Sequence, residues 1–169
     1  AENLHDRYPT LTKDRSDAFA MLSQSRTAQA YAGGRIQPDL VPIAVRDQEQ
    51  GWGYVTVDEM PRPETTMTAL SGLKTPFRVR GRVTAGNSSG LTDGATACLV
   101  SSAAFAEEVG LTPRMRMVGF AFAGVEPEVM GVGPIPSTEK ALRRAGMTIE
   151  DIDIIEINEA FAVQVLAFL

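Results

Sequence analysis

Apolar and polar positions change rhythm several times along this chain, and each rhythm predicts a different element. Thr12 to Ala32 favours helix throughout, with Phe19, Leu22 and the alanines at 18, 28 and 30 giving a face of small and apolar side chains. Gly33-Gly34 marks its end. Two strand-like runs follow, Leu40 to Val45 and Gly53 to Val57, parted by the charged segment Arg46 to Gln50, so this region reads as loop-rich. Pro61 and Pro63 flank Arg62 and stiffen an extended connection, because proline restricts both itself and the residue before it.

Phe77 to Val83 alternates strictly, so a strand there places Arg78, Arg80 and Arg82 on one face and apolar groups with Gly81 on the other. A turn of small polar residues, Thr84 to Gly90, leads into a small-residue helix expected over Asp93 to Glu108 and ended by Gly110. The last third predicts a strand over Met115 to Ala123, a helix over Pro136 to Ala145 closed by Gly146, a strand over Asp153 to Ile157 and a helix from about Glu159. That order implies a strand–helix–strand unit with a right-handed crossover, in an α/β layered fold.

Composition narrows the class. The 169 residues allow one ordinary domain, and 44% hydrophobic with 22% charged residues argues against disorder and against a coiled coil. The longest apolar stretch, Phe161 to Leu169 with Gln164 inside it, is well short of the roughly 20 residues that span a bilayer. One cysteine builds no internal disulfide framework, and no basic segment precedes an apolar run at the start, so a reducing, cytoplasmic setting is expected. A net charge of −5 gives no global attraction to nucleic acid or anionic membranes, so a polyanionic ligand must rely on a local basic patch. The chain opens on Ala1-Glu2-Asn3 without methionine and closes on an apolar run lacking a capping residue, which leads us to expect truncation.

Three ordered blocks carry a resemblance: Val83-Thr84-Ala85-Gly86-Asn87-Ser88-Ser89-Gly90-Leu91-Thr92-Asp93-Gly94-Ala95, then Gly131-Val132-Gly133-Pro134-Ile135-Pro136, then Asn158-Glu159-Ala160-Phe161-Ala162. Together, in order and spacing, they resemble the thiolase family. The resemblance covers nearly the whole chain, although the family's proteins are more than twice as long. It implies that 1–91 is a loop domain cradling coenzyme A, that 92–111 ends the N-terminal thiolase half, and that 112–169 begins the C-terminal half. The family's nucleophilic cysteine lies upstream of this region. Its Gly-His-Pro histidine and the second cysteine of a Cys-x-Gly-Gly-Gly motif lie downstream, and none of the three is present here.

The resemblance implies an acetyl-CoA C-acyltransferase: a cysteine thiolate takes an acyl group from 3-ketoacyl-CoA and passes it to coenzyme A, or the reverse condensation runs. It also implies a place in fatty acid metabolism such as β-oxidation, acyl-CoA and coenzyme A as substrates with no covalently bound cofactor, and a homodimer or homotetramer. Residues missing the covalent machinery are expected to be inactive alone. Two alternatives stand beside this reading: a non-catalytic coenzyme-A-binding or assembly fragment, and a relative of the ketoacyl synthases, which use two histidines and lack the Asn-Glu-Ala-Phe block.

Residue by residue, Asn158 matches the asparagine that holds an oxyanion-stabilising water in similar thiolases, although asparagine is also a preferred helix N-cap. Ala85, Gly86 and Ser89 match a loop against the pantetheine arm, where small side chains admit an extended ligand; the plain alternative is a turn needing positive φ. Phe77, Met130 and Phe161 match apolar positions of that tunnel or of the acyl site, and each also suits ordinary core. Arg62 matches an arginine near the nucleotide end of coenzyme A, with Lys74, Arg78, Arg80 and Arg82 close by in sequence.

Cys98, inside Ala97-Cys98-Leu99-Val100, reads as a small buried hydrophobe rather than a nucleophile, and His5 reads as structural. Glu159 suits either a hydrogen bond within its motif or a favourable place at a helix start. The Gly131-x-Gly133-Pro134 run fails the dinucleotide fingerprint, so no nicotinamide cofactor is expected, and no cysteine–histidine cluster suggests a metal.

Overall fold

Thr12 opens the longest helix of the chain, its hydroxyl accepting the Arg15 N–H at 3.3 Å, and twenty residues follow in helical conformation before Gly33. In the computed structural model, which describes residues 1–169, this helix belongs to the first of two units. That unit comprises Ala1–Gly90 with Glu159–Ala167 and Leu169, and the second comprises Leu91–Asn158 with Phe168.

The first unit contains α1 (Glu2–Arg7), α2 (Lys13–Ala32), a hairpin of β1 (Ile43–Asp47) and β2 (Gly51–Val55), and α3 (Met67–Ser71). The hairpin is antiparallel, with Ile43 opposite Val55 and Arg46 opposite Trp52. Its strands take up part of the charged segment expected to separate them, because Asp47 accepts the N–H groups of Glu49 and Gln50 at 2.8 Å and tightens the turn. Those two bonds hold the Asp47 carboxyl below its ordinary pKa.

The core of this unit mixes apolar and polar groups. Leu4, Leu11, Ala20, Leu70, Val83, Ala162, Val163 and Val165 are buried, and so are Glu2, His5, Ser16, Asp17, Thr84 and Asn87. On α2 the buried positions are Ser16, Asp17 and Ala20, whereas Ala18 and Leu22 are exposed. The expected apolar face is therefore displaced: α2 turns Ser16 and Asp17 inward, and Asn87 of loop 82–89 supplies a hydrogen-bond partner for Asp17. His5 lies buried beside Arg82, its Nδ1 on the carbonyl of Leu11. Burial pushes its pKa down. It is structural, as expected.

Several predicted elements do not form. Phe77–Val83 is a run of turns rather than a strand, with Arg80 at φ 56, so its three arginines share no strand face. Gly81 explains the break: a Cβ there would lie 2.3 Å from Glu2 Oε1, the atom that accepts the N–H groups of Arg82 and Val83 at 2.8 and 2.9 Å. Glutamate capping of the backbone has replaced ladder pairing.

The second unit contains α4 (Ala103–Glu108), then α5 (Pro134–Ala145). Gly146, at φ 68, ends α5 as the sequence predicts, while the helix starts at Pro134, two residues before the expected Pro136. Its Lys140 and Arg144 donate to the carbonyls of Phe122 and Phe120, whose rings meet edge to face at 5.9 Å. The helix expected over Asp93 to Glu108 forms only in its last turn and a half, where Ser102 caps Phe105 N–H. Cys98 consequently lies exposed in irregular chain and is not the buried hydrophobe anticipated.

Met115–Ala123 and Asp153–Ile157 form no ladder either, and β1–β2 is the one sheet. A strand's N–H and C=O groups require a neighbouring strand, and no segment of this chain pairs with these two runs. Their apolar residues stay open to solvent, Met115 at 92% and Ile154 at 80%. The last helix, α6 (Ala162–Phe168), which returns to the first unit, begins later than expected, with Phe161 as its N-cap.

Candidate functional site

A loop of small residues needs something stiff beneath it to hold a shape. Thr84 to Ser88 has that support. Asn87 Nδ2 donates to Asp17 Oδ1 and to the Arg82 carbonyl, both at 2.9 Å, while Asn87 Oδ1 takes the Thr84 N–H at 2.9 Å. Thr84 in turn caps Gly86 N–H and accepts the Ser88 hydroxyl on its carbonyl. Asp17, fully buried, is also paired with Lys13, whose ammonium reaches the Leu70 carbonyl at 3.0 Å. Buried and mutually satisfied, these groups fix the loop in one conformation.

This loop is a 3₁₀ turn over Ala85–Asn87, and none of its residues needs positive φ. Gly86 is small for another reason: a Cβ there would approach Leu70 Cδ2 to 2.3 Å and Leu73 Cδ1 to 2.6 Å. Packing against α3 occupies its missing side chain. Ala85 and Ser89 are exposed, so the loop turns those two toward solvent.

The loop is joined to the final motif. Ser89 N–H donates to the Ala160 carbonyl at 2.9 Å, and Ser88 pairs with Phe161 in an isolated antiparallel bridge. Phe161, half-buried, also lines a cavity of about 310 Å³ with Ala1, Glu2, Asn3, Phe77, Arg78 and Val83. Four of the sequence-predicted residues, Phe77, Ala85, Ser89 and Phe161, thus belong to the first unit, and two of them, Phe77 and Phe161, line one hollow of mixed polar and apolar walls.

Arg62 is in the same unit but outside that cavity. Its Nη1 donates to the carbonyls of Glu59, Met60 and Pro61 at 2.7, 3.1 and 3.1 Å, and its backbone N–H is held by Gln24 Oε1 of α2 at 2.7 Å. The guanidinium therefore caps its own turn, leaving other N–H groups for a ligand. Arg78 and Arg82 are engaged differently: both pair with Asp6, and Arg82 also reaches the His5 carbonyl. The arginine surface anticipated from the alternation is in this respect a structural clamp between α1 and the loop.

The Arg78 hydrogen bond holds the Asp6 carboxyl below the usual carboxylate range, with Arg82 acting in the same direction. A folded pKa below the unfolded value of about 3.9 contributes stability that is present above that value and lost as pH falls through the folded one. Asp6→Asn is expected to lower the melting temperature at neutral pH and to flatten its decline on acidification from about pH 5 to pH 3. Melting curves that fall equally in both proteins over that window would show that the clamp is not linked to stability.

Asn158 and Met130 belong to the second unit, and both are exposed. Asn158 does not cap α6, which starts at Ala162, so the helix N-cap explanation for this residue is removed and so is the nearby helix dipole. Glu159 accepts the Ser23 hydroxyl at 2.6 Å in a recess of about 220 Å³ shared with Phe19, Leu22, Arg26 and Thr27. It likewise does not sit at a helix start. Of the residues that hold these segments, Glu2, Ser23 and Gln24 stand outside every recognisable sequence pattern. Only Asp17 gave a signal, as a charge four residues after Lys13 on a helix.

A family model described as thiolase, N-terminal domain, matches residues 1–104, and one described as thiolase, C-terminal domain, matches residues 111–169. The chain is 47% identical to the 3-oxoadipyl-CoA/3-oxo-5,6-dehydrosuberyl-CoA thiolase of Escherichia coli strain K12, over 94% of this chain and 40% of that protein. It is 48% identical to an acetyl-CoA acetyltransferase of Pseudomonas aeruginosa, over 99% of this chain and 42% of that protein. Among solved structures, the Bacillus anthracis acetyl-CoA acetyltransferase superposes with a TM-score of 0.94 at 41% identity, and human mitochondrial 3-ketoacyl-CoA thiolase with 0.93 at 38%. Each comparison covers 99% of this chain and 42% of the other. The chain spans about two fifths of the length of the curated relatives it matches.

Proposed function

Since this chain belongs to the thiolase family and carries part of the thiolase fold, we propose that it supplies the coenzyme-A-binding and oxyanion-stabilising parts of an acetyl-CoA C-acyltransferase. The observation that carries this reading is the joining of two motifs far apart in sequence. The small-residue loop and the Ala160-Phe161 segment meet through the Ser89 to Ala160 hydrogen bond and the Ser88–Phe161 bridge, beside the cavity that Phe77 lines.

In this reading 1–91 cradles coenzyme A, 92–111 ends the N-terminal half and 112–169 begins the C-terminal half. Ala85 and Ser89 face the pantetheine arm, and Phe77, Met130 and Phe161 give it apolar contact. Arg62 offers its remaining N–H groups to phosphate at the nucleotide end. Asn158 holds a water against the thioester oxygen as negative charge develops there, where a fixed donor gains most.

The covalent step falls to a cysteine thiolate of the complete protein. It takes the acyl group as the bond between the α- and β-carbons of 3-ketoacyl-CoA breaks, acetyl-CoA leaves with the electron pair and a proton, and free coenzyme A then receives the acyl group. The unpaired runs 115–123 and 153–157 take their strand partners from the same complete protein, which acts as a dimer or tetramer. No helix of the chain is long and apolar enough to cross a membrane, and a single cysteine supports a reducing, cytoplasmic setting.

Cys98 does not match either catalytic cysteine motif, so the purified chain of these 169 residues is expected to give no measurable thiolysis of a 3-ketoacyl-CoA, while the complete protein turns it over. Turnover by the chain alone would overturn this division of labour. An inactive complete protein that still binds coenzyme A would replace the enzyme reading with a binding one.

A further inference from the structure

Glu159, Ala160 and Phe161 are each held by the first unit, and each by a different kind of bond. Phe161 is bridged to Ser88, and the Ala160 carbonyl takes the Ser89 N–H. The Glu159 carboxylate takes the Ser23 hydroxyl from α2 at 2.6 Å. The first two are backbone contacts that nearly any residue makes. The third depends on side chains and spans 136 positions in sequence.

One peptide bond separates Glu159 from Asn158. An anchor on Glu159 limits the φ of Glu159 and the ψ of Asn158, the soft torsions on either side of that planar bond, and hence the direction in which the preceding residue is presented. We infer that Ser23 and Glu159 form a positioning pair for Asn158: Ser23 touches no substrate but, through Glu159, fixes the asparagine that holds the oxyanion water. The inference rests on the thiolase reading of Asn158 given above.

The surroundings of the pair suit the role. Ser23 sits on a twenty-residue helix whose inner face is pinned by buried Asp17, so the hydroxyl is carried on a rigid element. Phe19 and Leu22 wall the recess on the same helix, and Arg26 brings a cation to the edge of the carboxylate's surroundings. An enzyme group held on such an element loses rate steeply when its support is removed, because small displacements at the reacting atoms carry large costs.

Steady-state kinetics of the complete thiolase test this. Ser23→Ala is expected to lower kcat about tenfold while leaving KM for the acyl-CoA within about twofold, since an interaction that only orients a transition-state donor does not contribute to ground-state binding. Ser23→Thr, which keeps the hydroxyl, is expected to restore most of the rate. Adding Glu159→Gln to Ser23→Ala is expected to cost little more, because the two act as one unit.

Asn158→Ala serves as the reference. If it is inactive and Ser23→Ala is unimpaired, or is merely less thermally stable with kcat unchanged, the positioning role fails while the thiolase reading stands. If Asn158→Ala is as active as the parent, that reading fails and the positioning role fails with it. A loss in Ser23→Ala that Ser23→Thr does not recover also overturns the inference.

Discussion

Replacing Asn158 by alanine in the complete thiolase is expected to lower the rate of thiolysis by about 10²- to 10³-fold, the usual cost of removing one oxyanion donor. The effect should fall on kcat and on kcat/KM alike, because in the proposed role Asn158 holds a water that matters when negative charge gathers on the thioester oxygen and little before. Binding of coenzyme A, measured by calorimetry, should survive. The residue is exposed and lies outside helix and strand, so its loss removes neither a cap nor a core contact. That separation makes the experiment decisive: a variant that folds, binds and still turns over at the parent rate would remove Asn158 from the mechanism.

The second large effect is on stability. Asp17→Ala removes a fully buried carboxylate that joins Lys13 to Asn87, and it leaves the Asn87 amide without one of its two acceptors. Breaking a buried pair from one side typically costs about 3–5 kcal/mol. Lys13 is partly exposed and can turn to water, which argues for the lower end of that range. For a protein of this size about 3 kcal/mol lowers the melting temperature by roughly 6–12 °C. Asp17→Asn, which keeps an acceptor of the same shape, should lose less. Equal melting temperatures for Asp17→Ala and the parent would mean that Asp17 does not support the loop.

Some of this was readable from the sequence. Helices bounded by their own chemistry were legible: Thr12 and Gly33 delimit α2, and Gly146 ends α5, as expected, although α5 starts at Pro134 rather than Pro136. Strands were less legible because half of a strand's determinants lie in its partner. Phe77–Val83 has perfect alternation but meets a glutamate instead of a ladder. Met115–Ala123 and Asp153–Ile157 have the composition of strands and find no neighbour within the chain. The site divides in the same way. The small-residue loop and the Asn158 motif stand out because they are contiguous runs of particular residue types that resemble the family's blocks. Glu2, Asp17, Ser23 and Gln24, which hold those segments, are common polar residues whose meaning comes from what lies 38 to 136 positions away.

Three of the eight buried apolar residues of the first unit, Ala162, Val163 and Val165, come from α6, on the far side of residues 91–158 in sequence. This has a consequence for the order of events on the ribosome. Ala1–Gly90 emerges with its core short of one helix and with Ser88 and Ser89 unpaired, and it cannot close until the whole of the second unit has been synthesised. During that interval the hollow beside Phe77 is open on the side that Phe161 later covers. Maturation of the first unit is therefore timed by translation of the second, and its core closes only when residue 165 and its neighbours have left the exit tunnel.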